Sequence, residues 1–215
     1  MKNPFRYGLL VDDPYFTDRR KELQYIVQFL DSENQLILIS PRRYGKSSLV
    51  HKAVRQTGRP CVYLNLQQVT SIEDFSAMVV KEIYKLYPVE RVKHLLPSFR
   101  IVPTISSSPS GDSLEISFNP KIVNTTTMIE NALGLLQKVT SPDKRLIVVL
   151  DEFPELLEVE NRVDKRLRAI MQEQIGLNYT QLSQVNFPRS NSAYSCTNIA
   201  CRCEFPQMAS RISSL

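Results

Sequence analysis

The sequence predicts an α/β fold, a mostly parallel sheet flanked by helices. Three observations carry that expectation. Short aliphatic runs alternate with amphipathic stretches of helical length from residue 1 to about 184, the pattern of strands joined by crossover helices. Leu146-Ile147-Val148-Val149-Leu150 holds no polar residue, as a strand covered on both sides requires. Between the first aliphatic run and the helical stretch that follows lies a short loop with a single glycine, residues 40–47, the strand–loop–helix order of such sheets.

Taken in order, Thr17 or Asp18 caps a helix through residues 19–30, with Leu23, Ile26, Val27 and Leu30 on one stripe. Asp31-Ser32-Glu33-Asn34 ends it, and Leu36–Ile39 reads as a strand buried on both faces. Residues 49–56 read as a helix with Gly58 as its stop. Cys61–Leu66 reads as a second strand. Ser71 caps the next helix, which runs to Tyr87 and carries Glu73 and Asp74 in its first turn, where the helix dipole favours acids. Phe99 and Ile101, then Leu114, Ile116 and Phe118, alternate with other residues around a Ser-rich segment. They predict a β-hairpin inserted at about 99–118. Thr125–Val139 is an amphipathic helix, residues 146–150 a strand, Val163–Gln174 a helix and Leu177–Leu182 a fourth core strand.

The chain has 215 residues, 42% of them hydrophobic, with 27 Lys and Arg against 22 Asp and Glu. That suits one domain with a buried core and argues against wholesale disorder. No apolar run approaches the roughly 20 residues of a membrane helix. The first residues turn acidic rather than apolar, unlike a secretory signal, so a cytoplasmic location is expected. A net charge of +5 permits a nucleic-acid partner without demanding one. His51 reads as a surface or packing residue, and Arg162, Lys165, Arg166 and Arg168 as a solvated helix face, with a contact to DNA or a neighbouring subunit as the sharper alternative.

Ser40-Pro41-Arg42-Arg43-Tyr44-Gly45-Lys46-Ser47, with Ser48 after it, follows the phosphate-binding loop (Walker A) pattern, except that Ser40 stands where the first glycine usually does. Successive N–H groups of such a loop turn inward to bind phosphate oxygens, and the helix N-terminus adds its positive end. Gly45 lets the backbone approach closely, Lys46 brings charge to the β- and γ-phosphates, and Ser47 offers an oxygen to Mg²⁺. Residues 40–48 are therefore the expected nucleotide contacts. Asp151 and Glu152 close the most apolar strand (Walker B, residues 146–152), at the sheet edge where ligands bind. Asp151 is expected to hold Mg²⁺ through water together with Ser47. Lys46 and Glu152 are the expected catalytic pair, Glu152 as the general base toward water.

The segments FTDRRKEL, ISPRRYGKSSLV, LIVVLDEFPELLE and LRAIMQEQ together resemble the prokaryotic archaeal-type ATPases, P-loop ATPases close to the AAA+ and signal-transduction (STAND) groups. In that family an aromatic-plus-glycine segment and an F-x-x-R-x-x-E-L helix precede the loop, matched here by Phe5, Tyr7 and Gly8, then Phe16, Arg19, Glu22 and Leu23. The likeness runs over residues 5–180 and is weakest at the hairpin. It implies that the N-terminal part borders the adenine pocket. It further implies that the strand after the Walker B helix lies between the loop strand and the Walker B strand. Ser183 and Gln184 stand nearest the family's polar sensor. No arginine finger is assigned, since Arg42 and Arg43 lie inside the loop.

The texture changes after residue 184. Residues 185–215 lack Gly and Lys, hold Cys196, Cys201 and Cys203, and show no sustained period. Family members continue with a fifth strand, a helical lid and a winged-helix-like domain, so this tail is expected to be irregular and out of register with the reading frame of residues 1–184. Its cysteines lack the fourth ligand of a structural zinc site. The expected activity is ATP binding with Mg²⁺-dependent hydrolysis. The alternatives are a switch that binds ATP or ADP with little turnover, and a basic DNA-associated module. A DNA or protein partner and a homo-oligomer stay open.

Overall fold

The computed structural model describes residues 10, 15–16, 19–32, 34–88, 92, 94–95, 104–107, 114–117, 125–141, 144–159 and 163–184. In chain order the elements are α1 (Arg20–Asp31), β1 (Leu36–Ser40), α2 (Lys46–Thr57), β2 (Cys61–Asn65), a 3₁₀ turn (Leu66–Gln68) and α3 (Ile72–Leu86). They continue with β3 (Thr104–Ser107), β4 (Leu114–Ser117), α4 (Thr125–Val139), β5 (Leu146–Asp151), α5 (Phe153–Val159), α6 (Val163–Glu173) and β6 (Leu177–Gln184).

Four strands form one sheet in the order β1-β6-β5-β2, and every pairing is parallel. The strand order places β6 between β1 and β5, as the family likeness implies. β3 and β4 form a separate antiparallel pair, with Ile105 opposite Ile116, inside the range expected for the inserted hairpin.

The side-chain alternation of β5 sorts the core. Ile147 and Val149 meet Leu23, Ile26 and Leu30 of α1 and Leu49, Val50 and Ala53 of α2 on one face. Leu146, Val148 and Leu150 meet Phe75, Val79 and Ile83 of α3, Ile129 and Leu133 of α4, and Leu167 of α6 on the other. Every residue of β5 is buried; each large aliphatic side chain so placed contributes about 1.5–3 kcal/mol. β1 departs from the expectation of burial on both faces. Leu36 and Leu38 are buried against α1 and α2, but Ile37 and Ile39 are only half-buried. The cause is position. β1 is an outer strand among the described residues, and α3 and α4 pack toward the β2–β5 side.

Local signals behave as their chemistry dictates. Gly58 follows α2 with φ 62°, a left-handed stop in which its N–H reaches the Arg55 carbonyl at 3.3 Å. The Ser71 hydroxyl accepts the Asp74 N–H at 3.1 Å and caps α3. Ser71→Ala is expected to lower stability by about 1 kcal/mol, read as a shift of the urea midpoint without a change in slope. α1 starts after Arg19; the caps expected for it, Thr17 and Asp18, lie outside the described residues. So does the segment 185–215.

At the N-terminal ends of the strands Arg59 acts as a knot. It donates to the Leu30 carbonyl, the Arg145 carbonyl and the Asn178 side chain, while Asn178 Nδ2 donates to the Ser32 carbonyl at 2.6 Å.

Candidate functional site

Parallel pairing brings the C-terminal ends of all four strands to one edge. Ser40 ends β1 beside Gln184 of β6, and Asp151 ends β5 beside Asn65 of β2. In open α/β sheets this edge is where ligands bind.

The loop from β1 to α2 turns with unusual backbone. Arg43 and Gly45 both have φ of 68°. Glycine takes this left-handed conformation freely, whereas Arg43 carries a Cβ there at a cost of about 1–2 kcal/mol. A Cβ on Gly45 would meet nothing closer than Arg19 Nη1 at 3.9 Å, so backbone hand rather than space favours glycine. Arg19 braces the turn from outside. Its Nη1 donates to the Tyr44 carbonyl at 2.7 Å, and its Nε faces Glu22 Oε1 at 3.5 Å. Phe16 lies nearby under the Lys52 ammonium, 4.1 Å from the ring centre, a cation–π contact that ties the chain before α1 to α2. Phe5, Tyr7 and Gly8 lie outside the described residues.

Ser40 and Pro41 are half-buried, Arg42, Arg43, Tyr44 and Gly45 exposed, and Lys46 and Ser48 buried. Lys46 and Ser47 open α2 and point back toward β5. Lys46 Nζ lies 3.2 Å from Glu152 Oε1, an ion pair that closes 106 residues of chain. The Lys46 side chain is only 7% exposed, so the carboxylate is its compensating charge. Ser47 Oγ donates to Asp151 Oδ2 at 2.7 Å. Asp151 is itself buried, and its Oδ1 accepts the Glu152 N–H at 3.0 Å. Glu152 turns off the strand with φ 56°, a left-handed conformation that throws its side chain toward Lys46.

One residue at this cluster escapes the sequence pattern. Tyr63 of β2 donates its hydroxyl to Asp151 Oδ2, the same oxygen that Ser47 uses. Burial first, and the adjacent carboxylate second, hold its phenol well above the ordinary tyrosine range, so it stays a donor. A Tyr in an aliphatic strand reads as core; only the register of β2 against β5 reveals the acid above it.

His51 is exposed on α2 with its ring 5.9 Å from that of Tyr63. Lys165 and Arg168 are exposed on α6, whose Val163, Leu167 and Met171 are buried. Arg162, Cys196, Cys201 and Cys203 lie outside the described residues. Ser183 and Gln184 end β6 beside Ile39 and Ser40, at the loop edge of the sheet. Among the described residues no helix is long and apolar enough to cross a membrane.

The fold, a parallel four-stranded sheet flanked by helices, has counterparts among solved structures. The structure is similar to the Walker-type ATPase of Pyrococcus abyssi, with a TM-score of 0.51 and 17% identity over 84% of this chain and 49% of that one. It also resembles, less closely, the Orc1 protein of Aeropyrum pernix, solved in complex with DNA, with a TM-score of 0.48 and 14% identity over 78% of this chain and 39% of that one. The chain thus spans about half the length of the Pyrococcus protein. No protein-family model matches the chain, and no curated protein matches it by sequence.

Proposed function

We propose that this chain binds ATP with Mg²⁺ and hydrolyses its β–γ bond at the edge formed by residues 40–48, Asp151 and Glu152. The observation that carries this reading is the double bridge between α2 and β5, Lys46 to Glu152 and Ser47 to Asp151. An ordinary glycine turn before a helix gives no reason for a buried lysine, a serine and two consecutive acids to converge. Left-handed residues at 43 and 45 support the anion-binding role of the loop, because backbone of alternating hand gathers N–H groups on one side. The N-terminus of α2 adds its positive end.

The donor set fits a hard cation. Ser47 spends its one proton on Asp151, which leaves its oxygen lone pairs available, and the carboxylate beside it is all oxygen. Ser47 is the residue that would hold Mg²⁺ directly and Asp151 the one that would hold it through water. Bound Mg²⁺ supplies charge against the β- and γ-phosphate oxygens. Lys46 leaves Glu152 for the phosphates, and Glu152, so released, accepts a proton from the attacking water. The reading rests the finer assignment, an archaeal-type ATPase, on the segments around Arg19, Gly45 and Asp151.

The test is an equilibrium ATP titration with and without Mg²⁺, on the native chain and on Asp151→Asn. Mg²⁺ is expected to tighten ATP binding, and Asp151→Asn to weaken the response to Mg²⁺ by about 10–100-fold. Nucleotide binding that ignores both Mg²⁺ and Asp151 would overturn the assignment.

A further inference from the structure

We infer that Tyr63 is a positioning residue for the metal-binding acid: its hydroxyl locks the Asp151 carboxylate and decides which of its oxygens is left to face a Mg²⁺-bound water. The inference rests on the nucleotide-binding reading above and extends it to a residue on a strand outside both sequence motifs. Its ground is a count of acceptor sites. A carboxylate offers about four lone-pair directions, two on each oxygen. Asp151 Oδ2 takes both the Ser47 and the Tyr63 hydroxyl protons, and Oδ1 takes the Glu152 N–H. Three donors therefore hold a carboxylate that is only 6% exposed, and the remaining site is on Oδ1.

Each donor comes from a different element. Ser47 belongs to α2, Glu152 to the turn after β5, and Tyr63 to β2. Of the three, Tyr63 is the one with no other part in the proposed chemistry. Its hydroxyl sits on Asp151 Oδ2 beside the Ser47 hydroxyl, so its effect falls on the acid and on the serine that shares that oxygen. Without the phenol the carboxylate is held by two donors instead of three, and Oδ2 has a vacant direction. A water that Mg²⁺ would order there would then face a less firmly fixed acceptor. Groups that orient a metal's direct ligands alter metal affinity about 10–100-fold when removed, and Tyr63, which orients an acid acting through water, is expected at the low end of that span.

Tyr63→Phe deletes the hydroxyl and keeps the ring. The Mg²⁺ concentration that half-tightens ATP binding is expected to rise about 10-fold, while ATP affinity without Mg²⁺ stays within two-fold of the native value. A general packing defect would move both. In the Asp151→Asn background Tyr63→Phe is expected to add less than two-fold, because partners acting through one group are not additive. The chain has nine tyrosines and no tryptophan, so tyrosine emission provides a second readout. Mg²⁺ with ATP should change the emission of the native chain, and that change should shrink in Tyr63→Phe. A Tyr63→Phe protein with a native Mg²⁺ midpoint, beside an Asp151→Asn protein with a displaced one, overturns the role of Tyr63 and leaves the site reading intact. A native chain whose ATP binding is indifferent to Mg²⁺ overturns both.

Discussion

Lys46→Ala is expected to lose ATP binding by about 100-fold, the effect of removing a charged hydrogen-bond donor from a desolvated phosphate site. The lysine is buried at the first turn of α2, and the resting partner of its ammonium is Glu152 rather than solvent. Its charge is therefore already largely stripped of water, so the expected exchange of carboxylate for phosphate would not have to desolvate the ammonium again. Because the alkyl stem of Lys46 is packed as well, Lys46→Met is the cleaner companion. It keeps the apolar stem and removes only the charge. Both variants are measured by equilibrium titration of nucleotide, with thermal unfolding as the check on the fold. Tight ATP binding by either one removes Lys46 from the phosphate site.

The second large effect separates binding from chemistry. Glu152→Gln is expected to keep ATP affinity within a few-fold while phosphate release falls by about 10²–10⁴-fold, the span of a lost general base. The geometry adds a consequence for stability. Gln still offers an oxygen to Lys46 but no charge, so the apo protein is expected to lose about 1–3 kcal/mol, the scale of a weakened buried partner. Because the affinity is expected to be similar, ATP with Mg²⁺ should stabilise Glu152→Gln by about as much as it stabilises the native chain, from a lower starting melting temperature. Steady-state phosphate release at a native rate would move the base to another residue.

Much of this architecture is legible in the sequence because its signals are local. Leu146–Leu150 reads as a buried strand since nothing polar interrupts it, and β5 is buried throughout. Ser71 and Gly58 announce the ends of α3 and α2 through their own backbone chemistry. The loop from 40 to 47 is recognisable because glycine, lysine and serine are consecutive. What is not legible depends on which strands become neighbours. The half-exposure of Ile37 and Ile39 follows from the outer position of β1, which four aliphatic residues in a row cannot reveal. α5 is a helix of seven residues with Pro154 in its first turn, too short to establish a period. At the site, Gly45-Lys46-Ser47 and Asp151-Glu152 are each visible alone, but the ion pair between Lys46 and Glu152 needs the strand order. Tyr63 needs more, the register that sets Asn65 beside Asp151 and leaves the phenol beneath the carboxylate.

The pairing of β1 has a consequence during synthesis. Ser40 lies against Gln184, and β6 is the one strand that β1 bonds among the described residues. A ribosome adding about 5–20 residues per second releases the first strand on the order of 10 s before its mate. For that interval Leu36 and Leu38 can already pack on α1 and α2, but the amides and carbonyls of β1 that pair with β6 have no native partner. An unpaired strand edge held open for so long is a template for pairing with other chains until residues 177–184 arrive.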